Sequence, residues 1–140
     1  MIKGFHHVAL RVADFDRSVA FYTDLIGLKP LTGWTMSNGR RALILDCGDG
    51  SRIELFERPG EDAPPDSPEP ILLHVCFRST DTTADLEAVR AAGYEVTMEP
   101  TDIDIANTVA EAAPPLVPIR IAFFRGPDGE LIEYFQADDI

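Results

Sequence analysis

Two histidines and two glutamates in this chain could hold a metal ion between them. His7 opens the segment HVALRVADFDRSV and His74 opens HVCFRSTDTTADL, so Val8 matches Val75, Arg11 matches Arg78 and Asp14 matches Asp81. Glu54 lies in DGSRIELF and Glu133 in DGELIEYF, where Ile53 and Phe56 are matched by Ile132 and Phe135. The histidines are 67 residues apart and the glutamates 79, so the second copy carries 12 extra residues. The Pro- and Ala-rich stretch from Thr101 to Pro118 is the obvious place for that insertion. One module has been duplicated, and an internal repeat dictates the architecture before any single residue does.

An isolated histidine near a strand start is ordinarily a core or edge residue, and an isolated strand glutamate ordinarily faces solvent. Recurrence of both at matched points favours ligands to a shared ion, because duplicated structural residues are free to diverge. A glutamate among Val, Ile, Leu and Phe is costly unless it is paired or metal-bound. Two imidazoles and two carboxylates suit one divalent ion per site, Zn²⁺, Ni²⁺, Co²⁺, Fe²⁺ or Mn²⁺, with positions left for water or substrate. Arg11 and Arg78 fall on the histidine faces of their strands and can hold a substrate carboxylate, with Arg120 a weaker candidate of the same kind. His6 has no repeat partner, and strand parity points it away from His7.

The elements that must position these residues read as strand, helix and three strands, twice. In the first module the strand is Phe5 to Val12. Asp14 or Asp16 then caps a helix with Phe15, Val19, Tyr22 and Ile26 at helical spacing, and Gly27 ends it. Strands follow at Leu31 to Ser37 and Arg40 to Cys47, around the turn pair Asn38-Gly39, and at Ser51 to Glu57. The second module offers a strand Ile71 to Arg78, a helix from Thr82 to Ala92 ended by Gly93, a short strand Tyr94 to Glu99, and a hairpin Ile119 to Phe135 turning at GPDG. The chain is thus read as one domain over 1–140, with module 1 over about 1–58, a proline-rich linker over about 59–70 and module 2 over about 71–140.

With 45% apolar residues the chain can bury a core, and its net charge of −12 argues against nucleic acid or an anionic membrane as partner. No apolar run is long enough to span a bilayer, and the start MIKGFHHVAL lacks signal-peptide layout, so a cytoplasmic location is expected. Cys47 and Cys76 are too few and too far apart for a disulfide scaffold and read as reduced, buried residues.

The segments HHVALRV, FYTDLIGL, RIELFERPG, LLHVCFR and RGPDGELIEYF together resemble the vicinal oxygen chelate superfamily, which includes glyoxalases, bleomycin-resistance proteins and extradiol dioxygenases. The resemblance implies an α+β fold in which two tandem βαβββ modules form a cupped, mostly antiparallel sheet, and it implies a homodimer acting on a small molecule. The order His7, Glu54, His74, Glu133 is similar to the glyoxalase I (lactoylglutathione lyase) ligand set. By that analogy the ion stabilises an enediolate made when a proton leaves the carbon beside a carbonyl, and a glutamate moves the proton. An apolar cup is expected to raise a carboxylate's pKa toward neutrality, so Glu133 or Glu54 can serve as the catalytic base, with Glu133 favoured by analogy.

The chain departs from glyoxalase I at Glu57-Arg58, where an Asn is usual, and at the stretch from Asp102 to Pro118, which replaces glycine-rich sequence and is expected near the site's mouth. Trp34, Met36 and Tyr22 are candidates to shape a pocket. Three alternatives use the same fold: an acyl-CoA epimerase, which typically carries Gln at the position of Glu54; an extradiol dioxygenase on His7, His74 and Glu133; and a metal-free dimer that sequesters a cationic drug.

Overall fold

A computed structural model describes residues 1–58, 72–109, 114–126, 129–138 and 140. The strands are β1 (Ile2–Val12), β2 (Lys29–Thr35), β3 (Arg41–Asp46), β4 (Arg52–Glu57), β5 (Leu72–Ser79), β6 (Val96–Ala106), β7 (Leu116–Arg125) and β8 (Leu131–Gln136). Two helices, α1 (Phe15–Ala20) and α2 (Thr82–Ala91), follow β1 and β5. All eight strands form one sheet in the order β2-β3-β4-β1-β5-β8-β7-β6. Within the two halves β1 pairs with β4, and β5 with β8, in parallel; every other neighbouring pair is antiparallel. The sheet is curled into a half-barrel. The proline-rich stretch expected to link the halves lies outside the described residues, as do Pro127 and Asp128 of the GPDG turn.

Alternation along the strands divides the core. On the convex side Leu43, Leu45 and Leu55 pack with Phe15 of α1, while Ala122 and Phe124 pack with Leu86 of α2. On the concave side Ile44, Ile119, Ile121 and Phe135 form a second apolar layer. Leu55 has no exposure, and cutting such a side chain back to alanine costs about 2–5 kcal/mol. The same period of two that sends Ile53 and Leu55 to the helix sends Glu54 and Phe56 into the cup.

Each helix is capped by its matched aspartate: Asp14 accepts from the Arg17 amide and Asp81 from the Ala84 amide, both at 3.0 Å. After Ala20 the first helix widens into a π-helical turn over Phe21–Leu25, with Ile26 N–H donating to the Phe21 carbonyl. The wider turn shifts the helical phase. Tyr22 therefore still packs against the core but Ile26, expected on the buried face, is exposed. Gly27, at φ +88°, makes the left-handed exit, and Leu28 N–H closes back on the Tyr22 carbonyl at 2.9 Å.

The stretch from Thr101 to Pro118 is not a plain loop. β6 runs on to Ala106 and β7 begins at Leu116, with Asp102↔Arg120, Asp104↔Pro118 and Ala106↔Leu116 in register. The alternation Ile103, Ile105 against Asp102, Asp104 suits a strand with one apolar face. Pro118 is tolerated because β8 pairs with β7 only as far as Arg120, leaving one side of Pro118 without a ladder. Beyond β6, Thr108 N–H donates to the Gly33 carbonyl at 2.7 Å, so the two edge strands meet at one end of the cup. A Cβ on Gly33 would stand 2.8 Å from Thr108 Oγ1 and 3.2 Å from the Ala42 carbonyl oxygen, so a larger residue there requires the threonine side chain to turn and the backbone to give slightly.

Candidate metal centre

β1 and β5 bring the two histidines together. Ala9 faces His74 and His7 faces Cys76 across the antiparallel ladder, and His7 Nε2 lies 2.9 Å from His74 Nε2. The parallel neighbours supply the carboxylates, since Glu54 on β4 pairs with Ala9 and Glu133 on β8 pairs with Cys76. Glu54 Oε2 lies 3.1 Å from His7 Nε2 and 3.4 Å from His74 Nε2, and Glu133 Oε2 lies 3.0 Å from both. All four residues belong to one chain, and all are buried.

These contacts fit a metal better than a hydrogen-bond network. An imidazole nitrogen has one in-plane hydrogen or lone pair, yet His7 Nε2 has three polar atoms within 3.1 Å. Glu133 Oε2, although close to both rings, is buried without a hydrogen-bond partner, so the close atoms are poorly aligned on one another. Donor atoms about 2.1 Å from a common ion are about 3.0 Å apart at a right angle and about 3.4 Å apart at the tetrahedral angle. The histidine–histidine and histidine–carboxylate separations run from 2.9 to 3.4 Å, close to that interval. His7, His74 and Glu133 offer atoms all within 4.8 Å of one another, and Glu54 faces both imidazoles from β4. A second group, His6, His7 and Cys76, is equally compact. Burial and the neighbouring Glu133 carboxylate push the Cys76 thiol up, so it is protonated in the metal-free protein.

The electrostatics reverse one expectation. Burial alone pushes imidazoles down and carboxylates up. Against that burial, the facing carboxylates of Glu54 and Glu133 hold His7 and His74 above the ordinary imidazole range. The same partners hold Glu54 and Glu133 below the ordinary carboxylate range. An apolar cup would have raised the carboxylates had the imidazoles not been beside them.

A cavity of about 190 Å³ opens from Glu54, His74 and Glu133 and is walled by apolar groups, among them Trp34, Phe56, Ile103, Ile105, Ile121 and Phe123. Ile103 and Ile105 come from the part of β6 read as insertion, which therefore forms a wall of the site. A second cavity of about 300 Å³ shares Phe56, His74 and Phe123 with the first and carries Arg11, Met36, Asn38 and Arg40. Arg11 is thus brought beside the cluster, and Trp34 and Met36 do shape pockets, whereas Tyr22 belongs to the core beneath α1.

Arg78 and Arg120 are not brought there. Arg78 shares the face of His74 but lies four residues further along β5, and its guanidinium donates to the Gly50 carbonyl, as does that of Arg52. Arg120 alternates with Ile119 and Ile121, so it leaves the sheet on the opposite face, pairs with Asp102 at 2.7 Å and donates to Thr83 Oγ1. Two further expectations are corrected. Cys47 is exposed, because β3 ends at Asp46. His6 is fully buried against His7 instead of pointing away from it, since a register shift between Phe5 and His7 interrupts strand parity. Burial, then the neighbouring His7, pushes His6 down to about 3, so it is neutral.

A cupped sheet of two βαβββ halves is the vicinal oxygen chelate architecture, and here its concave side carries a His-Glu-His-Glu cluster. The family model of the Glyoxalase/Bleomycin resistance protein/Dioxygenase superfamily matches residues 4–134, and the chain belongs to that superfamily. It is 32% identical to the lactoylglutathione lyase of Haemophilus influenzae, over 93% of this chain and 90% of that one. It is 30% identical to a probable lactoylglutathione lyase of Vibrio cholerae, over 93% and 88%. Among solved structures, methylmalonyl-CoA epimerase from Mycobacterium tuberculosis superposes with a TM-score of 0.72 at 23% identity, covering 98% of this chain and 89% of that one, a likeness of fold. No helix among the described residues is long and apolar enough to cross a membrane.

Proposed function

We propose that the protein is a metal-dependent lyase or isomerase of the glyoxalase I type, which moves a proton between adjacent carbons of a small oxygen-rich substrate. The observation that carries this reading is the meeting of His7 Nε2, His74 Nε2, Glu54 Oε2 and Glu133 Oε2 within 2.9–3.4 Å of their cluster neighbours at the floor of an apolar cavity. The relatives named lactoylglutathione lyase support it. These four residues would hold a divalent ion, which when bound would supply Lewis-acid stabilisation of negative charge on neighbouring substrate oxygens.

The chain's own groups do the rest. Glu133 takes the proton from the carbon beside the carbonyl and returns it to the neighbouring carbon. Glu54, on the opposite side of the histidines, would remain a ligand to the ion. Trp34, Phe56 and Phe123 exclude water and receive the apolar end of the substrate. Arg11 and Arg40 at the outer cavity fit a carboxylate on its polar end. A homodimer is part of the reading, by family resemblance.

The test is turnover of a glutathione hemithioacetal by zinc-, nickel- and cobalt-loaded protein, with Glu133→Gln for comparison. Activity that falls about 10²–10⁴-fold in the variant is the expected result. Epimerisation of a 2-methyl acyl-CoA thioester in place of hemithioacetal turnover would replace the substrate and keep the role of Glu133. Activity untouched by Glu133→Gln would overturn that role.

A further inference from the structure

β1 reaches the cluster through an irregular step. Its pairing with β5 runs Phe5↔Phe77 and then His7↔Cys76, which leaves His6 as an extra residue with no partner opposite. A bulge of this kind re-aims side chains, and here two successive histidines are both turned inward, each with no exposure. His6 Nδ1 lies 2.7 Å from His7 Nδ1, and His6 Nε2 lies 3.3 Å from the backbone oxygen of Ile140. The His6 ring also stacks on Phe135, with centroids 4.1 Å apart, which fixes its plane.

Hydrogen-bond chemistry leaves one consistent arrangement of protons along this row. The Ile140 backbone oxygen can only accept, so His6 Nε2 carries a hydrogen and donates it. A neutral His6 then presents a bare Nδ1, which accepts from His7 Nδ1–H. With its hydrogen on Nδ1, a neutral His7 keeps its lone pair on Nε2, the atom that faces His74, Glu54 and Glu133. The reverse arrangement would put a hydrogen on His7 Nε2, where an ion must sit.

We propose that His6 is a positioning residue, which holds His7 in the Nδ1–H tautomer and aims its Nε2 lone pair at the metal position. The inference rests on the metal reading of the four-residue cluster. The irregular step recurs in the second module, where Ala9↔His74 and then Leu10↔Leu72 leave Leu73 without a partner, but only the first module places a histidine there.

The direct test is the ring ¹⁵N spectrum of wild-type protein titrated with zinc, together with zinc affinity by chelator competition in His6→Phe and His6→Asn. Asparagine places an acceptor near the position of Nδ1 and keeps the bond from His7; phenylalanine keeps the stacking and removes the acceptor. Expected are His6 protonated on Nε2 only, His7 protonated on Nδ1 only once zinc is bound, an affinity about 10–100-fold weaker in His6→Phe, and substantial recovery in His6→Asn. His6 protonated on Nδ1 in the zinc-loaded protein, or equal zinc affinity in wild type and His6→Phe, would overturn the role of His6 while leaving the metal centre intact. Wild type that takes up none of zinc, nickel, iron and manganese overturns the metal centre, and the role of His6 with it. The spectrum of wild type decides the matter even if the buried phenylalanine variant fails to fold.

Discussion

His7 and His74 stand Nε2 to Nε2 at 2.9 Å although 67 residues separate them, because β1 of one module is laid against β5 of the other within a single chain. Each module alone supplies one histidine and one glutamate. Shared sites in dimeric proteins of this architecture can also be assembled from two chains, and the two arrangements make opposite predictions. Mixing inactive Glu54→Gln with inactive Glu133→Gln protein, followed by unfolding and refolding together, is predicted to restore no activity, since no chain in the mixture has all four ligands. Sites built across two chains would recover roughly one quarter of wild-type activity, as half of randomly formed dimers are mixed and each has one intact site.

Proton linkage follows from the same cluster. The facing glutamates hold His7 up at about 10 against its burial, so at neutral pH the metal-free site carries a proton that an ion must displace. The sign is fixed: metal affinity falls as pH falls, and uptake releases protons. Calorimetric titration at pH 7 in two buffers of different ionisation enthalpy is predicted to show about one proton released per ion. Identical heats in the two buffers would contradict the arrangement.

The arginines separate by position. Arg11 borders the outer cavity beside His74, whereas Arg120 is engaged with Asp102 and Thr83 on the far face of β7. Arg11→Ala is predicted to raise KM for an anionic substrate about tenfold, the loss of roughly 1.4 kcal/mol of binding. Arg120→Ala is predicted to leave kcat and KM within about twofold of wild type. Steady-state kinetics with a substrate bearing a carboxylate, and with a neutral analogue, decide this; equal effects of the two variants would count against it.

The sequence made the four-residue cluster legible because duplication printed it twice, at matched places in strands whose parity is readable one strand at a time. His6 was not legible, because its inward turn depends on how Phe5 and His7 register against Phe77 and Cys76, more than 65 residues away. The Asp102–Ala106 continuation of β6 could be read from its Asp-Ile alternation, but the alanines and prolines that follow make the whole stretch look like a loop. The position of Arg120 was equally readable, since Ile119 and Ile121 on either side claim the concave face. Arg78 illustrates a different limit: parity gives its face correctly, but four residues of strand are about 13 Å, enough to carry it past the cavity to the Gly50 turn. The lowered pKa values of Glu54 and Glu133 required knowing that the two imidazoles lie beside them, a fact of tertiary structure.

Metal content is the measurement closest to the centre of this account. Protein purified without a polyhistidine tag, dialysed against zinc, nickel, iron and manganese in turn and analysed by mass spectrometry for bound element, should hold about one ion per chain for at least one of them. Glu54→Gln and Glu133→Gln should each hold less, and the bound ion should raise the melting temperature of wild type by about 5–10 °C at a hundredfold excess over its dissociation constant. Wild type that remains metal-free with all four ions, and melts at one temperature whether or not they are present, would contradict the account and leave the cup as a binding site that works without metal.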